Sequence, residues 1–466
     1  MVEHRTCEAP MRLSSFEVSG YKNLRRPVRL ADLGPINVIH GENNVGKSNL
    51  LQATDLFFAM IGSTAHRAAA SPTSKTELDE HDTSTAWMLE DGNQVGVRFH
   101  VNESSLKGAG FAADDIFHIE TPAPIHLRGV IEIDLDDWAS AGRLDMPPLA
   151  ITFDFRISRS HGGCVNVELG IDPAKDPRGE WELLHDIAAL VVRGFNVRAG
   201  QESRSFVLVD VHRRVPSVDT PGEAGSPRIM PLHLLLALYD AKESVEPGVF
   251  QRWEAFENAM SSLGSVVTDG KFVVTYNRAT GRAHLAAQKG RTRMPIESMG
   301  TGVQQIASLL ARALLANSAI VAIEEPELNL RYELRLRLRD ALRQIVDSDL
   351  GPRQIFLTSH SPAFESGEAF YAMVPHEDGP TVERRPVTEA PAFLQVNIGV
   401  AVPANAGAYG YVSSDGLLRL PADIRSLLGV EHGGGVVVLQ REGREHVEIL
   451  NNEQFLSLLH DKGEPT

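Results

Sequence analysis

Four short stretches carry residue types that together could handle a chain of phosphates. "GENNVGKSN", Gly41–Asn49, is G-x-x-x-x-G-K-S set between an apolar run, "INVI", and "SNLLQATDLFFAMIG", whose apolar spacing is helical. In such a loop the glycines Gly41 and Gly46 let the backbone of Glu42, Asn43, Asn44 and Val45 curl so that successive N–H groups face phosphate oxygens. The helix that carries Asn49 adds its positive end. Lys47 would reach the β- and γ-phosphates and the Ser48 hydroxyl would ligate Mg²⁺. The plain alternative is a glycine turn with a chance lysine. "SAIVAIEEPELNL" is a buried-type strand ending in Glu324 and Glu325. Successive side chains at a strand end point to opposite faces, so Glu324 would support Mg²⁺ through its water shell while Glu325 polarises an attacking water. Two solvated acids opening a helix is the competing reading. "RMPIESMGTGVQQIASLLARALL" places Ser298, Gly300 and Gly302 before a long amphipathic helix, which is either a second phosphate cradle or an ordinary cap. "RQIFLTSHSPAF" ends a further apolar strand in Thr358-Ser359-His360-Ser361. There His360 would hydrogen-bond a γ-phosphate or serve structure alone.

The elements that must position these groups are a parallel set of buried strands, each ending at the site, with helices between them. The chain of 466 residues is long enough for two or three domains, and its 42% hydrophobic and 23% charged content is that of a globular protein. No run of about 18 apolar residues implies a membrane span. Cys7 and Cys164 are too few for a disulfide framework or a thiolate metal site, which fits a reducing cytoplasm. The net charge of −16 repels nucleic acid, so any DNA contact must come from a local basic patch. Strand candidates follow the P-loop helix: "QVGVRFHV", "IHLRGVIEIDL", "LAITFDFRIS", "CVNVELGI" and "RSFVLVDVHR". Helical text from Pro231 to Leu263 and a hairpin-like stretch, "KFVVTYNRATGRAHLAAQ", come next.

Order adds to the separate signals: P-loop first, then glycine cradle, acidic strand and histidine strand close together and far downstream. With Asn23 in "GYKNL", this arrangement resembles the ATP-binding-cassette type of AAA ATPase in the RecF, SMC and overcoming-lysogenization-defect (OLD) families. The resemblance spans residue 11 to about 365. It implies an α/β P-loop NTPase head, ABC/SMC-head-like, with an inserted α+β lobe. On that pattern residues 11–62 are the P-loop half, about 87–290 the inserted strands and helical lobe, and 291–365 the signature, Walker B and histidine half. It also implies ATP and Mg²⁺ as ligands, and a homodimer in which the cradle of one subunit covers ATP on the P-loop of another. The sequence departs from many relatives at Asn329-Leu330-Arg331, where they carry Leu-His-Pro. Gln94 is a candidate for the glutamine that usually follows the P-loop helix.

OLD nucleases continue into a Toprim nuclease domain, whereas here no clustered Glu…Asp-x-Asp follows Pro362, so no intrinsic nuclease is predicted. Asp134-x-Asp136 reads as a solvated acidic turn. Residues 366–404 read as a linker. Residues 405–455 look like an AbrB/MazE-type swapped-hairpin segment, a small β-rich domain, through Gly416, Leu420-Pro421, Ile424-Arg425, Leu428-Gly429-Val430 and Gly433 or Gly434. In that segment Arg419, Arg425, Arg441 and Arg444 could touch phosphate, or the unit could only dimerise. Two functions are carried forward. One is an ATP-hydrolysing dimeric switch acting on DNA or a separately encoded effector, in anti-phage defence or DNA repair. The other is an AbrB-type DNA-binding regulator, antitoxin-like, with an ATPase sensor head.

Overall fold

The computed structural model describes residues 11–70, 86–90, 94–118, 123–133, 149–160, 163–173, 206–210, 232–263, 270–315, 318–348, 350–364, 367–390, 393–394, 411–412, 418–419, 428, 436–440 and 447–451. The chain divides into two compact units, Met1–Ala390 and Pro391–Thr466. In the first, β1 (Met11–Ser19), β2 (Val28–Leu30) and β3 (Ile36–Gly41) lead into α1 (Lys47–Ala70). Next come β4 (Ala86–Glu90), β5 (Gln94–Val101), the short α2 (Glu103–Gly108) and α3 (Ala113–Ile116), β6 (Ile125–Ile133), β7 (Leu149–Arg159), β8 (Val165–Pro173) and β9 (Phe206–Asp210). Helices α4 (Leu232–Glu243) and α5 (Pro247–Ser262) precede β10 (Lys271–Asn277), β11 (Arg282–Lys289) and β12 (Thr292–Pro295). The unit closes with α6 (Thr301–Leu315), β13 (Ile320–Glu324), α7 (Tyr332–Asp347), β14 (Gln354–Ser359), β15 (Ala369–Val374) and β16 (Thr381–Pro386).

The site rests on a six-stranded sheet in the order β16-β15-β3-β14-β13-β9, parallel except for β16. A parallel sheet covered on both faces needs apolar strands throughout, and all six residues of β14 are buried. Alternation then divides them between two cores. Ile39, Ile320, Ala322 and Phe356 share the core that includes α1, while Val38, Val321, Ile323, Ile355 and Leu357 share that of α4–α7.

On the far side of α1 lies an antiparallel sheet, β2-β1-β6-β7-β8-β5-β4. Strand β7 alternates buried Ile151, Phe153, Phe155 and Ile157 with exposed Asp154 and Arg156, the signature of one dry face. The Phe57 ring of α1 meets Phe16, Phe153 and Phe155 edge-on at 5.5, 6.4 and 5.7 Å. A Cβ at Gly129 on β6 would fall 2.5 Å from the Phe57 ring, so glycine is what lets the helix approach the sheet. Each fully buried Leu, Phe or Met on α1 contributes about 1.5–3 kcal/mol, which fixes where the P-loop helix starts.

Two boundaries differ from those expected. Residues 366–404 are not simply a linker: β15 pairs with the P-loop strand β3, and β16 with β15. The 87–290 stretch is not one inserted lobe either. Strands β4–β8 extend the sheet begun by β1 and β2, whereas β9 joins the core sheet beside β13. Gln94 opens β5, paired opposite Glu90. Asp134 and Asp136 lie outside the described residues. In the second unit Tyr411–Val412 pairs with Leu418–Arg419, and Val436–Gln440 with Val447–Asn451. Gly416, Pro421, Arg425, Arg441 and Arg444 lie outside the described residues. Among the described residues no helix is long and apolar enough to cross a membrane.

Candidate nucleotide-binding site

Three adjacent parallel strands, β3, β14 and β13, end together and deliver the predicted groups to one edge of the sheet. The loop after β3 turns through Asn44 (φ 63°) and Gly46 (φ 116°). At Gly46 a side chain is excluded twice, by the positive φ and because a Cβ would sit 2.8 Å from the Asn23 amide. Asn23 secures the loop: its Nδ2 donates to the Val45 carbonyl (3.1 Å) and its Oδ1 accepts from Asn49 Nδ2 (2.8 Å). A Cβ at Gly41 would fall 2.7 Å from the Met373 carbonyl, so β15 bounds the loop from the other side. Glu42, Asn43 and Asn44 are exposed, as is Ser48 in the first turn of α1.

Lys47 is 5% exposed and folds back over its own loop, donating to the carbonyls of Gly41 (2.9 Å) and Glu42 (2.8 Å). Burial lowers its pKa, against the opposing pull of Glu325, Glu327, Glu324 and Glu42. His360 Nε2 lies 3.1 Å from the Lys47 amine and 3.4 Å from Glu325 Oε1. A proton on Nε2 favours the carboxylate, and its absence favours the ammonium. Burial and then Lys47 push the His360 pKa down, while Glu325 acts the other way. Lysine, imidazole and carboxylate therefore form one continuous polar chain. Glu325 sits at φ 42°, a conformation that costs a side-chain-bearing residue about 1–3 kcal/mol, and its N–H donates to the Thr358 carbonyl at 2.9 Å. The kink separates Glu325 from Glu324, the last residue of β13, which lies opposite Thr358 of β14 and Asp210 of β9.

Glu327 and His40 complete the site without having been singled out by their sequence context. Glu327 Oε1 accepts from the His360 N–H (2.5 Å) and the Ser359 hydroxyl (2.9 Å), while its Oε2 is buried with no hydrogen-bond partner. Burial raises the carboxyl's pKa against those hydrogen bonds. His40, wholly buried on β3, donates from Nδ1 to the Ser359 carbonyl at 2.7 Å; its Nε2 has no partner. Burial lowers its pKa to about 4. Glu327 and His40 thus converge with Glu325 on the Ser359-His360 pair. The "EEPE" and "IHGE" strings could have flagged Glu327 and His40, since a polar residue inside an apolar run must find a partner.

No hydrogen bond or ion pair among the described residues joins Ser298, Gly300 or Gly302 to the P-loop. Ser298 ends a 3-10 turn and Gly300 precedes α6, both exposed. Gly302 packs instead on the segment after the acidic strand, where its Cβ would lie 3.0 Å from Leu330 Cδ2 and 3.1 Å from the Asn329 carbonyl. As for a metal, no cluster of three or more His, Cys, Asp or Glu among the described residues could hold an ion by itself. An exposed hydroxyl at Ser48 and a half-buried carboxylate at Glu324 are hard oxygen donors, too few for a closed protein cage. They fit Mg²⁺, which keeps waters and takes substrate phosphates as its other ligands.

Residues 242–364 match the AAA ATPase domain family (AAA_15). That region holds the Ser298–Gly302 turn, the acidic strand β13 and the histidine strand β14, and β3 pairs directly with β14. The fold is the expected α/β P-loop architecture. No curated protein matches the chain in sequence. Among solved structures it is similar to an Smc head bound to the C-winged helix domain of ScpA, with 15% identity over 81% of this chain and 98% of that one, TM-score 0.45. It is also similar to the SMC head domain of Thermotoga maritima (13% identity, 80% and 99% covered, TM-score 0.40). A third is the Pyrococcus furiosus Smc head with an extended coiled coil, bound to the C-terminal domain of ScpA (12%, 83% and 99%, TM-score 0.43).

Proposed function

We propose that the protein is an ATP-hydrolysing switch that works as a homodimer or larger homo-oligomer and acts on DNA or on a separately encoded effector. The carrying observation is the Glu325–His360–Lys47 chain at the ends of neighbouring parallel strands, beside the exposed Ser48. On this reading the loop Gly41–Asn49 wraps the phosphates, and Lys47 leaves its own carbonyls to pair with the β- and γ-phosphates. Glu325 orients the attacking water and takes up its proton, and His360 hydrogen-bonds the γ-phosphate. Ser48 and Glu324 would hold Mg²⁺, which supplies charge neutralisation at the phosphates. Ser298 and Gly300 are exposed, while the half-buried Gly302 packs on the Asn329–Leu330 segment of its own subunit. A second copy that lays them over the first copy's nucleotide gives ATP a higher affinity for the closed pair than for the separated one.

Anti-phage defence or DNA repair is the setting the resemblance suggests. The second reading, a DNA-binding regulator with an ATPase sensor, draws on the hairpin pairs of the separate unit Pro391–Thr466. Steady-state ATP turnover with Mg²⁺ tests the first. Lys47→Ala should abolish it, and Glu325→Gln should bind ATP, double in mass by light scattering and turn over at least about a hundredfold more slowly. Unchanged turnover in either variant overturns the assignment.

A further inference from the structure

The three-stranded sheet β10–β11–β12 breaks the charge pattern of the whole molecule. Between Gly270 and Ile296 there are six Lys or Arg and no Asp or Glu, in a chain of net charge −16. One face of this sheet is dry: Phe272, Val274, Leu285 and Ala287 are buried in the core that includes α4 and α5. Register sets the other face. Lys271, Gln288 and Arg293 form one row across the three strands, Thr275 pairs with His284, and Asn277 pairs with Arg282. Lys271, Asn277, His284 and Arg293 are exposed, as are Arg278 and Arg291 in the turns at opposite ends. Arg293 Nε donates to Gln288 Oε1 at 2.9 Å, and among the described residues no carboxylate pairs with Lys271, Arg278, Arg291 or Arg293.

We infer that this outer face is a docking surface for the phosphate backbone of double-stranded DNA. Six residues of β10 span about 20 Å, and three strands about 10 Å, room for several consecutive phosphates. The groups displayed, Arg, Lys, Asn, Gln and Thr, are those that bind phosphate oxygens and carry no base readout. Described aromatic side chains lie elsewhere: Phe272 is in the core and Tyr276, on the opposite register, stacks on Tyr239 at 5.2 Å. The face therefore offers no stacking platform for unpaired bases, which favours a duplex over a single strand. Its apolar row, Val273–Ala286–Pro295, carries no aromatic or long aliphatic side chain to anchor an acidic protein partner, and the exposed Tyr276 and Met294 lie on the opposite register. The inference deepens the proposed action on DNA and moves its main contact from the C-terminal arginines to the ATPase head. It is read by DNA affinity, so its failure is separable from failure of the ATPase assignment, which is read by turnover.

The test uses the full chain and a duplex of about 30 base pairs, followed by fluorescence anisotropy between about 50 and 200 mM salt. The combined variant K271Q/R278Q/R291Q/R293Q should lose at least about tenfold in affinity and reduce the log–log salt slope by about 3 to 4. ATP turnover measured without DNA should be retained. The single charge reversals Lys271→Glu and Arg293→Glu should each weaken binding, which keeps the test informative if the combined variant folds poorly. Absence of duplex binding by the native chain at the lowest salt overturns the inference. So does an unchanged salt slope in the combined variant, or displacement of DNA by polyglutamate at equal charge concentration.

Discussion

Glu327 offers the sharpest test of how the site is held together, because its two oxygens have unequal surroundings. Oε1 accepts both the His360 N–H and the Ser359 hydroxyl, while Oε2 has no hydrogen-bond partner. Glu327→Ala removes the acceptor and leaves a small void. The stranded N–H costs about 1–3 kcal/mol, and the hydroxyl less, since the Ser361 carbonyl at 3.3 Å remains as a second acceptor. Including the lost packing, the penalty is about 2–4 kcal/mol. Glu327→Gln keeps a carbonyl oxygen in the Oε1 position, and its amide replaces the oxygen that bonds nothing. That variant should stay within about 1 kcal/mol of the native protein. Denaturant midpoints give the stabilities. Steady-state kinetics should show kcat reduced about tenfold or more in the alanine variant, with KM changed less, and near-native kcat in the glutamine variant. If both variants fold and are equally inactive, Glu327 acts through its charge and not as a clasp on the His360 turn. If the alanine variant is as stable and active as the native chain, the clasp has no role.

Two further outcomes follow from the same packing. His40 is neutral in the fold, with its pKa lowered to about 4. A depressed folded-state pKa means stability that is present above about 6.5 and is lost as the pH falls towards 4, about 2–3 kcal/mol between pH 7 and 4.5. His40→Asn keeps a donor for the Ser359 carbonyl and cannot titrate, so urea midpoints at the two pH values should differ less than in the native chain; equal pH dependence refutes the assignment. The raised pKa of Glu327 works in the opposite sense but is shared by both proteins. Gly129→Ala should destabilise by about 1–3 kcal/mol through collision with the Phe57 ring, partly relieved by Phe57→Leu. No change in thermal midpoint would refute that contact.

The chemistry-bearing motifs were legible because each is local. A glycine loop between an apolar strand and a helix, or acids ending a buried strand, announce themselves within ten residues. What was hidden depends on partners far along the chain. Glu327 reads as one acid among three until His360, 33 residues on, presents its N–H. His40 looks like an interruption of an apolar strand until its link to Ser359, 319 residues away, is seen. Strand β16 gives little sequence signal because its residues are half-exposed or exposed, as an edge strand's are, so apolar alternation is weak. Strand β9 is legible as an apolar run, but its place beside β13 is a matter of crossover topology that periodicity does not encode.

The central claim is that a nucleotide is held jointly, by Lys47 of one subunit and the Ser298–Gly302 turn of another. Mixing two inactive full-length variants, Lys47→Ala and Ser298→Arg, tests it directly. In a mixed two-fold pair one site would carry both defects and the other neither, so freely exchanging subunits should recover about a quarter of native ATP turnover. Turnover that never exceeds the sum of the two variants measured separately would contradict the shared site.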